Sequence, residues 1–209
     1  MKPKSNNRNF LLLKKAALLI LVVLALDQIS KIWIKTHLSL GEEIYVSDWF
    51  RIYFIENNGA AWGAEIGGKG GKLFLTLFRL VAIVGIGYWL VQSINKQAPK
   101  LLLVSISLIF AGALGNILDS VFYGILFDHS NHQLATLFAA EPYGTLFHGK
   151  VVDMLYFPMW KGVLPSWFPF IGGEKFTFFN AIFNVADSAI SIGVTLLILF
   201  GNKLFPKTN

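Results

Sequence analysis

The chain has 209 residues, 55% of them hydrophobic and only 14% charged, where a soluble domain carries roughly 25% charged residues. With a mean hydropathy of +0.58 and its apolar residues gathered in long blocks, it reads as an integral membrane protein rather than a soluble domain. There is no cysteine, which excludes a disulfide framework, a thiolate nucleophile and a Cys-bound metal, and fits exposure to an oxidising compartment.

A bilayer crossing takes about 20 mostly apolar residues, and four segments of a single membrane domain, 1–209, reach that length. The first span covers about 10–35, with an unbroken apolar stretch from Ala16 to Leu26. It runs straight into DQISKIWIK without a small-residue cleavage site, so it is a retained span rather than a signal peptide. Between 36 and 66, IYVSDWFRIYFIENNGAAW offers short aromatic and β-branched stretches bounded by glycines, a strand signal. GGKGGK (67–72) has the look of a phosphate loop. Leu73 follows its GK where Ser or Thr is required, so it reads as a flexible linker. The second span covers about 73–94, with Arg79 near its outer end, able to snorkel to the interface. NKQAPK (95–100) is a tight hairpin turn into the third span, about 101–123. A long connection, 124–177, rich in aromatics, Gly and Pro, leads to the fourth span, about 178–200.

Basic residues in short flanks favour the cytoplasm. Lys2, Lys4, Arg8, Lys14 and Lys15 precede span one, Lys96 and Lys100 occupy the hairpin, and Lys203 and Lys207 follow span four. An even number of spans puts all three sets on one side, with both termini cytoplasmic and both long loops outside. The net charge of +6 is therefore a topology signal, and no nucleic-acid partner is expected.

In that topology Asp27 and Asp119 lie near the outer ends of their spans. Asp187 falls about nine residues into span four, roughly 13 Å below its outer end. Asp153 sits in VVDMLYF, an apolar piece of the outer loop. Four acids thus gather on one leaflet, and an ionisable group at membrane depth costs about 3 kcal/mol, so it marks function by default. Asn116 and Asp119 are spaced i, i+3, as are Asn184 and Asp187, which puts each pair on one helix face, while Asp27 and Lys31 are i, i+4. Together they describe a polar pocket opening outward. No Ser–His–Asp arrangement stands out. Two carboxylates held close cannot both ionise, and such a pair can activate water and protonate a leaving amine. Peptide hydrolysis near the outer surface follows, although spacing alone does not choose which two acids pair. A proton or cation transporter and a non-catalytic scaffold glued by interhelical hydrogen bonds use the same residues. A transporter relay wants ionisable groups on both sides of the midplane, and the inner halves of the spans lack acids.

The set DQISK (27–31), NNGAAWG (57–63), GALGNILDS (112–120), VVDMLYF (151–157) and FNVADSAI (183–190) closely resembles lipoprotein signal peptidase, signal peptidase II, in motif order and along every span but the second. The resemblance implies an all-α bundle of four transmembrane helices. It adds an extracytoplasmic β-cradle at about 36–66, to which this chain adds an outer insertion at about 124–150. It implies an aspartic peptidase of the bacterial inner membrane, needing no metal or cofactor and inhibited by globomycin. Its substrates would be prolipoproteins, cut just before a diacylglyceryl-modified cysteine among membrane lipids, with a monomer as the expected state. By the same resemblance Asp153 and Asp187 are the catalytic pair and Asp119 a supporting acid. Asn116 and Asn184 are pocket amides, Asn57 contacts substrate backbone, and Gly59 and Ala186 support substrate from the same motifs. Asp27 and Lys31 form a structural ion pair.

Two features depart from the family. Ser120 stands where an Arg usually follows the third-span Asp, leaving Arg79 or Lys150 to supply a cation. In addition, 33 residues separate Asp119 from Asp153 where about ten are usual. The added segment, FYGILFDHSNHQLATLFAAEPYGTLFHGK, is expected to extend the third helix or to form a lid at the membrane interface. His129 and His132 within it are solvated loop residues on this reading, not metal ligands.

Overall fold

The computed structural model describes residues 3–58 and 68–204. Helix α1 (Pro3–His37) leads to strands β1 (Glu43–Ser47) and β2 (Phe50–Asn57), then helices α2 (Gly68–Asn95) and α3 (Lys100–Leu118). Helix α2 begins at Gly68, so most of the glycine-lysine run expected as a linker is its first turn. Pro99 enters α3 after the 96–99 turn, where its missing N–H costs nothing. Helix α3 runs on through a π-helical segment, Asp119–Tyr123, and a last turn, α4 (Gly124–Leu126). The start of the added segment therefore does extend the third helix.

Three of these helices are long and apolar enough to cross a membrane: Asn7–His37, Gly70–Asn95 and Lys100–Leu126. The expected fourth span is shorter than its apolar run. Residues 175–178 and 182–183 form strands β5 and β6, and helix α5 occupies only Val185–Leu199, followed by the short α6 (Gly201–Leu204). Fifteen residues at 1.5 Å each span about 22 Å, less than a hydrocarbon core of about 30 Å. Apolarity alone does not separate a buried strand from a helix, and the run FTFFNAIF serves both sheets before Asn184 starts the helix.

Helix α3 is central, carrying buried Leu102, Leu103, Ile106, Ala111 and Ile117, while Leu18, Leu21, Phe78, Val81 and Ile198 face outward as lipid-facing side chains do. Small residues let α3 and α5 approach closely. A Cβ on Gly112 would collide with the Ala186 carbonyl oxygen, and one on Gly193 would lie 2.7 Å from the Ser105 carbonyl oxygen. Strand β3 (Val151–Tyr156) completes an antiparallel sheet of order β1-β2-β3-β6, the cradle, while β4 (Trp160–Val163) pairs with β5 (Lys175–Phe178) as a separate hairpin. Asp153 is therefore a strand residue, not a loop residue.

Of the two faces of the cradle, one carries Phe54, Val152 and Met154 into a core with Ile34 and Leu38 of α1 and with Tyr123, Phe127 and Ala135. Asp153 and Asn57 lie on the other face. Phe127 and Ala135 of the 124–150 segment thus pack behind the sheet, on the face opposite Asp153.

Candidate active site

The two acids singled out in the motifs meet through one residue. Asn184 is the N-cap of α5. Its Oδ1 accepts the Asp187 N–H at 2.9 Å, and Asp187 Oδ2 accepts the Asn184 N–H at 3.3 Å, a reciprocal capping box. The i, i+3 spacing of this pair is therefore a cap and not a shared helix face. It puts Asp187 in the first turn of α5, not about nine residues below the helix start. The Asn184 side-chain amide, fully buried, donates to Asp153 Oδ1 at 2.7 Å and to Asn116 Oδ1 at 3.1 Å. Asn116 donates in turn to Asp187 Oδ1 at 2.7 Å, and Asn57 donates to Asp153 Oδ2 at 3.2 Å. Asp153 is 2% exposed, whereas Asp187, Asn116 and Asn57 are half-buried, so the site has a closed floor and an accessible side.

Beneath this lies a charged layer. Lys31, with no exposed surface, holds Asp27 Oδ2 at 2.8 Å, Asp119 Oδ2 at 2.7 Å and Asn116 Oδ1 at 2.9 Å. Those three partners use all three ammonium donors. They also fix which end of the Asn116 amide faces Asp187. The expected Asp27–Lys31 pair is present, and Asp119 joins it. Ala186 is buried, and its N–H donates to Asp27 Oδ1 at 2.9 Å, which places it in the contact between α5 and α1. A Cβ on Gly115 would lie 2.6 Å from Asp27 Oδ2, so the close passage of α3 requires glycine there. Gly59 lies outside the described residues.

Asp119 opens the π-helical segment; such bulges occur frequently at functional sites. A Cβ on Gly149 would collide with the Asp119 carbonyl oxygen, and the Gly149 N–H donates to the Ser120 carbonyl at 2.9 Å, so the chain returning from 124–150 threads against this segment. Ser120 itself turns inward and donates to the Asn116 carbonyl at 2.9 Å. Of the two candidate cations, Lys150 is engaged with Glu56 at 2.8 Å. Arg79 of α2 is half-buried and interacts electrostatically with Asp187, so it brings a positive charge to that carboxylate from another helix.

The site is electrostatically asymmetric. Burial, and after it the charge of Asp187, push the Asp153 carboxyl up from 3.8 to about 7, against the pull of its two amide donors and of Lys31. Asp187 receives the Asn116 amide and the Asn184 N–H in the first turn of α5.

Gln28 and Tyr123 complete the network without having been singled out in the sequence. Gln28 donates to Asp119 Oδ1 at 2.9 Å and Asp27 Oδ2 at 3.0 Å, and Tyr123 donates to Gln28 Oε1 at 3.1 Å. Gln28 sits inside the DQISK motif, but an amide beside an acid carries no signal of its own. The partner of Tyr123 is 95 positions away.

The model of the Signal peptidase (SPase) II family matches residues 19–202. A lipoprotein signal peptidase of Porphyromonas gingivalis is 49% identical over 197 residues, covering 93% of this chain and 84% of its own. Those of Amoebophilus asiaticus and Clostridium tetani are 35% and 33% identical over 86% and 88% of this chain, and over 74% and 89% of theirs. A solved structure described as a bacterial membrane enzyme at 2.3 Å superposes with a TM-score of 0.61 at 28% identity, covering 94% of this chain and 93% of its own. A second, at 1.9 Å, gives 0.60 at 27% identity, covering 93% and 95%. With a family match over nearly its whole length, this inner-membrane chain belongs to the signal peptidase II family, the aspartic peptidases that remove signal peptides from prolipoproteins.

Proposed function

We propose that Asp153 and Asp187 are the catalytic pair of this peptidase, and that Asp153 holds the proton in the resting site. The observation that carries this reading is Asn184, which donates to Asp153 through its side-chain amide and bonds Asp187 through its main-chain N–H and its side-chain oxygen. Asp187 takes a proton from a water molecule as that water attacks the scissile carbonyl carbon. Asp153 gives its proton to the carbonyl oxygen, forming a gem-diol. Asp187 returns its proton to the amide nitrogen, the C–N bond breaks, and one diol hydroxyl gives its proton back to Asp153. The products are a carboxylic acid and an amine, and the pair is restored.

On this reading α5 is the fourth crossing, short as it is, with both termini cytoplasmic and the site facing outward. The basic flanks support that orientation. The substrate is a prolipoprotein whose signal helix enters sideways from the bilayer, and the amine released belongs to the diacylglyceryl-modified cysteine. Asn57, at the end of β2 and bonded to Asp153, meets the substrate backbone, and a monomer contains the whole site. The test is a pair of synthetic prolipoprotein peptides that differ only in the diacylglyceryl group, digested by the purified protein in lipid and read by mass spectrometry. A single cut before cysteine in the lipidated peptide, and little in the other, is expected. Equal cleavage of both, or scattered cuts, overturns the substrate reading.

A further inference from the structure

Glu56 precedes Asn57 on β2, and consecutive strand residues face opposite sides of a sheet. Asn57 faces Asp153; Glu56 faces the outer end of α1 and the 124–150 segment, with 5% of its side chain exposed. Its Oε1 accepts from Lys35 Nζ at 2.6 Å and from Ser130 Oγ at 3.0 Å, and its Oε2 from Lys150 Nζ at 2.8 Å. Lys35 also donates to Ser130 Oγ at 2.8 Å and lies 5.1 and 5.2 Å from the ring centroids of Phe127 and Tyr143. The Lys150 N–H donates to Tyr143 Oη at 2.7 Å. One carboxylate thus ties together α1, β2, the 124–150 segment at Ser130, and Lys150, the residue that leads into β3. Lys35 followed by Lys150 outweigh the burial of Glu56 and hold its carboxyl below the usual range.

No hydrogen bond described for this cluster reaches Asp153 or Asp187. Buried ion pairs add little net stability, and their best-attested use is to fix register. The sheet has a register that needs fixing. β2 pairs Ile52 with Leu155 but Ile55 with Asp153, so it uses three residues where β3 uses two. That bulge turns Ile55 and Asn57 onto the face of Asp153. A slip of one residue beyond it would swap Asn57 for Glu56 or Asn58 on that face.

We propose that Glu56, gripped by Lys35, Ser130 and Lys150, pins the β2–β3 register beyond the bulge and so positions Asn57 on Asp153. The 124–150 segment then acts on the site from behind the sheet. The consequence for catalysis rests on the reading of Asp153 as catalytic; the register claim does not.

Two readouts separate the two claims. The chain lacks cysteine, so an Asn57→Cys/Val151→Cys pair, opposite each other in the register, reports it by disulfide yield. Glu56→Gln is expected to cut that yield several-fold and to raise the yield of the slipped Asn58→Cys/Val151→Cys pair. Unchanged yields overturn the proposal. Cleavage of the lipidated peptide by the full chain is then measured across neutral pH for Glu56→Gln, Asn57→Ala, the double variant and Asp153→Asn. The charges bearing on Asp153, those of Asp187 and Lys31, are untouched in the first three. Glu56→Gln should lower kcat about tenfold, the worth of one hydrogen bond to a carboxylate, and move the alkaline limb upward, because that bond favours the ionised form of Asp153, which acts protonated. Asn57→Ala should do the same, and the double variant no more. A parent-like pH profile for folded Glu56→Gln, or full additivity with Asn57→Ala, overturns the positioning role. Normal cleavage by Asp153→Asn with altered disulfide yields would instead defeat the catalytic reading and leave the register claim standing.

Discussion

Replacing Lys31 by Met keeps the length of the side chain and removes its charge. The ammonium is fully buried and bonds Asp27, Asp119 and Asn116 at 2.7–2.9 Å, with no water-exposed surface to compensate for its loss. Two carboxylates would then share one buried layer, with the Gln28 amide and the Ala186 N–H as donors. Removing one partner from a buried pair typically costs about 3–5 kcal/mol. In a chain of this size that lowers Tm by roughly 6–20 °C. The assay is thermal unfolding of the purified protein in detergent, followed by intrinsic fluorescence of the tryptophans. The charge argument makes a second demand: Lys31→Met/Asp119→Asn should recover part of the loss, because it removes one of the two uncompensated carboxylates. A Lys31→Met protein that melts within about 2 °C of its parent, or a double variant less stable than either single one, would refute the reasoning.

Further expectations concern the cap, the packing and pH. Asn184→Ala removes the α5 cap, worth about 1 kcal/mol, and the donor to Asp153; cleavage should fall further than the modest drop in Tm explains, measured as activity per folded molecule. Gly112→Ala forces α5 away from α3 at the Ala186 carbonyl and should cost about 1–3 kcal/mol, read as a lowered Tm. Asp153 has a raised folded-state pKa of about 7 against 3.8. Between those values the folded chain holds a proton that the unfolded chain has lost. Its contribution to stability therefore declines as pH rises from about 4 to about 7 and is flat above. Asp153→Asn should lose this slope and, above neutrality, unfold no more readily than the parent, as melting curves against pH will report.

Much of the fold was legible because the membrane enforces long apolar helices and the flanking lysines follow a rule of sign. Helices α1, α2 and α3 and the 96–99 turn followed directly. The fourth span was overextended because Phe176–Phe183 is as apolar as a helix, although the Asn184–Asp187 spacing carried the signature of a helix start. The strand over Val151–Tyr156 has no alternation to reveal it, since Val151, Val152, Asp153 and Met154 are all buried. Within the site, the Asp27–Lys31 pair was readable from its spacing, and Lys35 continues the same i, i+4 row. The assignment of Asp153 and Asp187 came from motif resemblance, because Asn184, the cap of Asp187, reaches Asp153 across 31 positions and no local pattern records that contact. The Glu56–Lys150 pair spans 94 positions and lies behind a sheet whose bulge only the strand register reveals.

The central claim is that one carboxylate pair carries the hydrolysis, and cleavage of a diacylglyceryl-modified prolipoprotein peptide by Asp153→Asn and Asp187→Asn tests it most directly. Each variant is first shown to have a cooperative melt in detergent. The account predicts that both lose cleavage by about 10²–10⁴-fold, the range expected when an acid–base group is removed. Normal cleavage by either folded variant contradicts it and would move the search to Asp119.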